Sequence, residues 1–144
     1  MPCVTEVKKD MHVAGSEVAV RVDRYTLEKR RWRTLAEDGR DIAVDLGTPC
    51  RDGDIILVEE GRHYRIAQVP EPVIEISLPE SAEAGAKLGW FLGNQHLQVD
   101  ISPGGIRLAD DPQLVAKLDR AGIQYLRKDA VFSPDPHSRS HHHH

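Results

Sequence analysis

The chain has 144 residues, of which 40% are hydrophobic, 29% charged and 5% aromatic, and its formal net charge is −4. This composition is typical of one or two folded domains and excludes the low-apolar, highly charged class of disordered chains. The net negative charge gives no long-range attraction to phosphate backbones, and no run of 18 apolar residues is present, so we expect neither nucleic acid nor a membrane as a partner.

The N-terminal sequence MPCVTEVKKDMHV lacks the apolar segment of a signal peptide. Cys3 and Cys50 lie far apart and have neither CxxC nor zinc-ribbon spacing. We therefore expect a cytoplasmic protein in which both cysteines are reduced structural thiols.

Residues 17 to 69 contain short segments in which apolar and polar side chains alternate, which predicts β-strands. Asp38-Gly39 and Glu60-Gly61 are turn dipeptides between such segments, so each is expected to join two strands in a hairpin. The first half of the chain is therefore predicted to be a small all-β module.

A short basic run, EKRRWR, lies within this half. It places Lys29, Arg30, Arg31 and Arg33 around Trp32. The run is typical of a solvated strand face with one buried aromatic side chain, and docking of a protein partner is the functional alternative.

The pattern changes at Pro70 and Pro72, after which segments of helical and strand periodicity alternate. We predict three parts: an N-terminal β domain over 1–70 for partner or peptide binding, a second domain over 71–133 for metal binding and dimerisation, and a flexible histidine-rich tail over 134–144.

The second domain opens with PVIEISL, a predicted strand, followed by the predicted helix ESAEAGAKLGWFLGN. Glu80 and Glu83 are expected in the first turn of this helix, where carboxylates favour the helix dipole. Gly93 is expected to end the helix in the left-handed conformation.

The next segment, HLQVDI, is predicted to be a strand beginning at His96. The apolar residues Leu97, Val99 and Ile101 are expected on the buried face of this strand. The polar residues His96, Gln98 and Asp100 are expected on the opposite face.

After the turn SPGG and the strand IRLA, Asp111 and Pro112 predict the start of a second helix, and Gly122 predicts its end. IQYLRKDAVF is the last predicted strand. The order strand, helix, strand, strand, helix, strand predicts a ferredoxin-like βαββαβ domain, and the whole chain is predicted to be α+β. One face of its sheet, expected to carry His96, would stay open for a partner or a second copy of the chain.

His96 is the candidate metal ligand of this domain, although an isolated surface histidine without a function is the common alternative. A single imidazole is too few for a stable transition-metal site. A symmetric dimer would bring two copies of His96 together across a two-fold axis.

The tail supplies five more imidazoles, which is the composition of a metal-binding arm. They are His137, His141, His142, His143 and His144. Residues 139–144 are equally typical of an appended purification tag, whereas His137 precedes that run.

Motifs of the common enzyme classes are missing from the sequence, including GxSxG, the P-loop, HExxH and GxGxxG. Asp110-Asp111 is better explained by helix capping than by a catalytic pair of carboxylates. We therefore expect no enzymatic activity.

The segment GWFLGNQHLQVDI resembles the urease accessory protein UreE family, which is marked by a Leu-Gly-Asn-x-His motif at the end of a helix. Here the motif spans Leu92 to His96. The resemblance extends over nearly the whole chain, through Asp38-Gly39, the turn at Pro103-Gly104 and the closing VFSPDP.

This resemblance implies a nickel metallochaperone that delivers Ni²⁺ to apo-urease during urease maturation. It implies a homodimer in which His96 of both subunits binds the ion, and tail histidines that gather further metal. It also implies two kinds of partner, the urease apoprotein and urease accessory proteins including the accessory GTPase UreG. Imidazole ligands would also accept Zn²⁺ or Cu²⁺.

The chain departs from some relatives of the family at the start of its second predicted helix. Asp110 and Pro112 stand where those relatives have histidines, so an additional inner metal site is not expected.

Two alternatives to the nickel carrier remain open on the sequence. One is a protein-interaction adaptor without a specific metal role, and the other is a metal-dependent hydrolase using His96 and Asp100.

Overall fold

The structure is a computed structural model that describes residues 1–8 and 15–135 of the chain. It separates into two compact units, the first formed by Met1–Val69 and the second beginning at Pro70. Each unit has its own hydrophobic core.

The elements of the first unit are, in chain order, β1 (Cys3–Val4), β2 (Ser16–Val22), α1 (Arg24–Leu27), β3 (Arg31–Leu35), β4 (Asp41–Asp45), β5 (Ile55–Glu59) and β6 (Arg62–Gln68). They form two three-stranded sheets with the orders β1-β4-β3 and β2-β6-β5. Val20, Ile42 and Ile66 are each at most 1% exposed and belong to the core of this unit.

Both predicted hairpins of this unit are confirmed. β3 and β4 pair antiparallel around Asp38-Gly39, and β5 and β6 pair antiparallel around Glu60-Gly61. Gly39 and Gly61 have φ values of 87° and 74°, a left-handed region that glycine enters without steric cost.

Two features of the first unit were not predicted. β2 pairs in parallel with β6, from Ser16 opposite Arg62 to Val22 opposite Gln68. The one-turn helix α1 is capped by Asp23, whose Oδ1 accepts from the Thr26 amide at 2.7 Å. The unit is therefore β-rich rather than free of helix.

The basic run ends on β3, where Arg31 and Arg33 form ion pairs with β4. Arg31 Nε lies 3.3 Å from Asp45 Oδ1, and Arg33 pairs with Asp41. Trp32 is half-buried and packs against the core. The predicted solvated face is confirmed at Arg31 and Arg33, whereas Trp32 is half-buried rather than fully buried.

The elements of the second unit are β7 (Glu71–Ile76), α2 (Ala82–Gly93), β8 (Asp100–Ser102), β9 (Gly105–Ala109), α3 (Pro112–Ala121) and β10 (Leu126–Ala130). They form one antiparallel sheet with the order β10-β7-β9-β8. The element order and this sheet confirm the predicted α+β class and the ferredoxin-like arrangement.

The core of the second unit lies between its sheet and helices. Ile74, Ile106 and Leu108 of the sheet pack with Leu92 of α2 and Leu118 of α3, and each is at most 4% exposed. Burying these apolar side chains is the main stabilising contribution of the unit.

The predicted ends of α3 are confirmed. Asp111 Oδ1 accepts from the Gln113 amide at 3.0 Å, and Pro112 is the first helical residue. Gly122 ends the helix with a left-handed φ of 70°. These contacts satisfy backbone groups that the helix itself leaves without partners.

The prediction for the end of α2 is wrong in its detail. Gly93 is still helical, and Asn94 follows with a right-handed φ of −70°. The left-handed residue is His96, with φ 56°. The helix also begins one residue after Ser81, so only Glu83 of the two predicted carboxylates lies in its first turn.

The predicted strand HLQVDI is also too long, because β8 begins only at Asp100. Leu97 and Val99 do pack against the core, as predicted, but from irregular backbone. Ile101, on the edge strand β8, is 57% exposed, so the prediction that it is buried is wrong. His96 therefore lies in the turn after α2 and not on the open face of the sheet.

No helix within the described ranges is long and apolar enough to cross a membrane.

Candidate metal centre

A tight turn at the end of α2 positions His96. The Asn94 amide donates to the Trp90 carbonyl at 3.1 Å, and the Gln95 amide donates to the Leu92 carbonyl at 3.1 Å. The His96 amide then donates to the Gly93 carbonyl at 3.2 Å. These bonds use the last carbonyls of the helix and fix the backbone that carries the imidazole.

Both sides of this turn are held by apolar packing. Leu92 is 3% exposed, and Leu97 is half-buried against the same core. Gln95 adds a side-chain bond, since its Nε2 donates to the Phe91 carbonyl at 3.1 Å. The side chain of His96 is exposed. Its backbone is left-handed, a conformation that histidine adopts more readily than most residues.

The position also favours positive charge. His96 follows a 12-residue helix at its C-terminal end, where the helix dipole has its negative pole. The last turn of α2 contains no basic side chain. A cation bound by the His96 imidazole would lie at this negative end.

The chain segment after β10 forms hydrogen bonds with Val99 and Asp100, which follow His96 closely in sequence. The Asp135 amide donates to the Val99 carbonyl at 2.7 Å, and the Ser133 amide donates to Asp100 Oδ2 at 3.0 Å. The sequence suggested Asp100 as a companion of His96 on a strand face and as its partner in a possible hydrolase. Its contact with Ser133 joins residues 33 positions apart, and no local sequence pattern predicts such a pair.

A single chain brings few metal ligands together. Within residues 1–8 and 15–135, no group of three or more His, Cys, Asp or Glu side chains is placed to hold a metal ion. The predicted tail ligands His137 and His141, His142, His143 and His144 lie outside the described residues. Of the predicted metal ligands, the structure therefore places only His96.

The two neighbouring aspartates at the start of α3 have structural contacts. Asp111 caps the helix, and Asp110 accepts two hydrogen bonds of 2.9 Å from the Arg127 guanidinium. This pairing raises the pKa of Arg127. The predicted capping role is confirmed for Asp111, and Asp110 forms an ion pair instead.

A second histidine, His63, was not singled out on the sequence. It is 7% exposed on β6, and its Nε2 lies 3.3 Å from Glu17 Oε1 on β2. Glu17 also accepts from Arg65 Nε at 2.7 Å, and this bond is the largest cause of its lowered pKa. His63 is therefore part of a polar network between two strands of the first unit.

The two cysteines differ in exposure. Cys3 is exposed, whereas Cys50 is 4% exposed, and both are free thiols. Burial raises the pKa of the Cys50 thiol to about 11. A thiol in such surroundings is a structural group and a poor metal ligand at neutral pH.

Residues 71–144 match the family model described as UreE urease accessory protein, C-terminal domain. The matched region contains the whole βαββαβ unit and the His96 turn.

Several curated proteins with the name urease accessory protein UreE are similar over most of the chain. The protein from Beijerinckia indica subsp. indica is 31% identical over 126 residues, which cover 86% of this chain and 72% of that protein. Those from Burkholderia mallei and Burkholderia ambifaria are 31% and 35% identical, over 79% and 74% of this chain. The matched part of these two relatives is 62% and 54% of their length, so the chain spans about half to three quarters of the relatives compared.

Proposed function

Because this chain belongs to the UreE family of urease accessory proteins, we propose that it is a nickel carrier that delivers Ni²⁺ to apo-urease during urease maturation. The ion is the cargo of this protein, and the carrier catalyses no reaction. In this proposal the protein acts as a homodimer in the cytoplasm.

The observation that carries this proposal is the placement of His96. Its imidazole is exposed, while the turn that bears it is fixed by backbone hydrogen bonds and by the burial of Leu92. A ligand that is exposed but held in one place can bind an ion without burying it. Such a site suits cargo, because a closed site with four protein ligands would release its ion slowly.

A second copy of the chain would supply the second imidazole. In an isologous dimer the same patch of both chains meets at a two-fold axis, so that His96 would face its own copy. Trp90 in α2 and Ile101 in β8 are 72% and 57% exposed, and these elements precede and follow the His96 turn. Large apolar side chains at the surface support an interface in this part of the unit.

The remaining coordination positions would be filled by water and by tail histidines. His137 is the first of these, followed by His141, His142, His143 and His144 if that run is native. Imidazole ligands also accept Zn²⁺ and bind Cu²⁺ more tightly than Ni²⁺, so the ion carried in cells would be selected by supply and by partners.

We assign partner binding to the first unit. Tyr25 and Leu35 are 64% and 63% exposed there, and the guanidinium of Arg24 lies 4.5 Å from the centre of the Tyr25 ring. Exposed aromatic and leucine side chains favour a protein contact. Its partners would be the urease apoprotein and accessory proteins including the GTPase UreG.

Calorimetric titration of nickel into protein ending at Pro136 tests the proposal, because it removes every tail histidine. His96→Asn is the variant of choice, since asparagine tolerates the left-handed backbone while lacking the imidazole. We expect the tail-free protein to bind nickel and the variant to lose most of that binding. Asp129→Asn, an exposed change on β10, is the control and should bind normally.

A different result would favour the adaptor function. If nickel uptake disappears with the tail, and His96→Asn changes nothing further, the chain has no metal site of its own. It would then act in urease maturation through protein contacts alone.

A further inference from the structure

We propose that the second unit has a docking groove for a basic, partly apolar segment of a partner protein, at the end of α2 that lies away from His96. Lysine or arginine side chains of the partner bind to carboxylates of the groove, and its apolar side chains pack against leucines. This inference goes beyond the proposed function, because it involves neither nickel nor the partner contacts assigned to the first unit.

The groove has a volume of about 1070 Å³. Its walls come from the end of β7 and the residues that follow it, from α2, and from the connection between α3 and β10. Pockets for small molecules have volumes of about 300 to 1000 Å³. The groove therefore has room for a segment of a protein chain.

Four apolar side chains line this groove. Leu78 and Leu126 are 43% and 65% exposed, so both are available to a partner. Leu88 and Ile123 are half-buried and pack against the core of the unit, which fixes part of the wall. Exposed apolar side chains that border a concave surface favour a protein contact.

The charge of the groove is negative. Its lining contains the carboxylates of Glu75, Glu80 and Asp119, and none of its described lining residues is a lysine or an arginine. Glu75 is compensated by Arg107 and Lys128, at 2.9 and 3.7 Å. Glu80 and Asp119 are exposed and form no ion pair within residues 1–8 and 15–135. Two carboxylates are therefore available to cations of a partner.

Asp119 is oriented without being neutralised. The Tyr125 hydroxyl, which also lines the groove, donates to Asp119 Oδ1 at 2.8 Å. This bond is the largest cause of the raised pKa of Tyr125, so the tyrosine stays an uncharged donor. One carboxylate oxygen is held in place, and the negative charge remains.

The helix ends at the groove do not reverse its charge. α3 ends at Gly122, which lines the groove, so the negative pole of that helix has the same sign as the carboxylates. The positive pole at the start of α2 is offset by Glu83 in its first turn.

Charge and shape together select the occupant. Carboxylates repel nucleic acid and acidic segments, and they favour lysine and arginine across an interface. The apolar stems of these long side chains can also cover the exposed leucines. A segment of a partner protein in which basic and apolar residues alternate satisfies both parts of the groove.

The groove and the candidate metal ligand lie at opposite ends of α2. Glu80 precedes the helix, whereas His96 follows it. A helix of 12 residues is about 18 Å long. A partner segment can therefore occupy the groove while an ion is bound at His96.

Fluorescence anisotropy with labelled peptides tests this inference on the full chain without metal. The probe is the peptide KLKLRK, which combines basic residues with leucines. We expect it to bind, and we expect Glu80→Gln combined with Asp119→Asn to weaken binding by about three- to tenfold. Both changes remove charge at nearly constant size, and asparagine still offers the Tyr125 hydroxyl an acceptor oxygen.

Matched controls separate the groove from the general charge of the surface. Glu83→Gln combined with Asp129→Asn removes the same charge from exposed positions outside the groove and should leave the affinity unchanged. The acidic peptide ELELEE should not bind. Leu126→Ala should weaken the binding of KLKLRK and should not change that of KSKSRK, in which serine replaces leucine.

Three results would overturn the inference. The first is no binding of KLKLRK at millimolar concentration. The second is equal loss of affinity in the groove variant and in its charge-matched control, because the attraction would then not be located in the groove. The third is equal affinity for KLKLRK and KSKSRK, since the groove would then bind small cations rather than a protein segment.

Nickel titration of the same variants separates this inference from the proposed function. Glu80→Gln combined with Asp119→Asn should bind nickel like the unchanged protein, because His96 lies at the other end of α2. Since the peptide assay uses metal-free protein, peptide docking can succeed even if His96 binds no nickel, and it can fail while nickel binding persists. Loss of nickel binding in this variant would contradict a local role for the two carboxylates.

Discussion

Arg107 and Glu75 lie directly opposite each other on β9 and β7, and Arg107 Nε donates to Glu75 Oε2 at 2.9 Å. Lys128 Nζ on β10 lies 3.7 Å from the other carboxylate oxygen. Three strands of the second unit are thereby joined by one carboxylate. The bond from Arg107 is the largest cause of the lowered pKa of Glu75.

We predict that Glu75→Gln lowers the free energy of unfolding by about 1 kcal/mol at pH 7. Because the pKa of Glu75 is depressed in the folded state, its contribution is present above the ordinary value of 4.5 and is lost as the pH falls through the lowered value. Urea unfolding of both proteins at pH 7, 5 and 3.5 measures this. A difference that stays constant down to pH 3.5 would show that the carboxylate charge does not contribute.

The left-handed backbone at His96 gives a second prediction. His96→Gly should be more stable than His96→Ala by about 1 kcal/mol, because glycine adopts a φ of 56° without steric cost. In a helix interior the order is reversed, since alanine is favoured there. The melting temperatures of the two metal-free variants distinguish left-handed from helical backbone at residue 96. Higher stability of the alanine variant would place residue 96 in right-handed backbone.

The cap of α3 gives a third prediction. Asp111→Ala should cost about 1 kcal/mol of stability because the Gln113 amide loses its acceptor. Asp111→Asn retains an acceptor oxygen and should cost much less. Chemical denaturation of the three proteins measures both effects, and equal losses in the two variants would argue against a capping role.

The two thiols give a fourth prediction. With a pKa of about 11, Cys50 has only about one thiolate in a thousand molecules at pH 8, and it is buried as well. A chromogenic disulfide reagent should therefore titrate one thiol of the native protein rapidly, that of Cys3, and the second only after unfolding. Cys3→Ser is the control and should remove the rapid phase. Two rapid equivalents in the native protein would contradict the buried position of Cys50.

Local signals predicted much of this fold. The turns at Asp38-Gly39 and Glu60-Gly61 depend on a few neighbouring residues, and both formed the expected hairpins. The ends of α3 were likewise predicted from capping residues. In the second unit the alternation of strand and helix patterns was enough to predict the βαββαβ order.

Non-local contacts were not predictable in the same way. The parallel pairing of β2 with β6 joins strands that no short turn connects. At the end of α2, Gly93 was the expected left-handed residue, but helical bonding continues past it and His96 takes that conformation. The alternation in HLQVDI predicts burial correctly at Leu97 and Val99, although both residues precede β8 and lie in irregular backbone.

The candidate site shows the same division. A local motif was sufficient to select His96, whereas the hydrogen bond from the Ser133 amide to Asp100 joins residues 33 positions apart and has no local sequence signal.

Native mass spectrometry of nickel-loaded protein ending at Pro136 tests the central claim most directly, since it counts chains and ions in the same species. The nickel-carrier account predicts two chains with one nickel ion, and a dimer without nickel for His96→Asn. One ion on each separate chain, or nickel retained by the His96→Asn dimer, would contradict the claim that paired His96 side chains hold the ion.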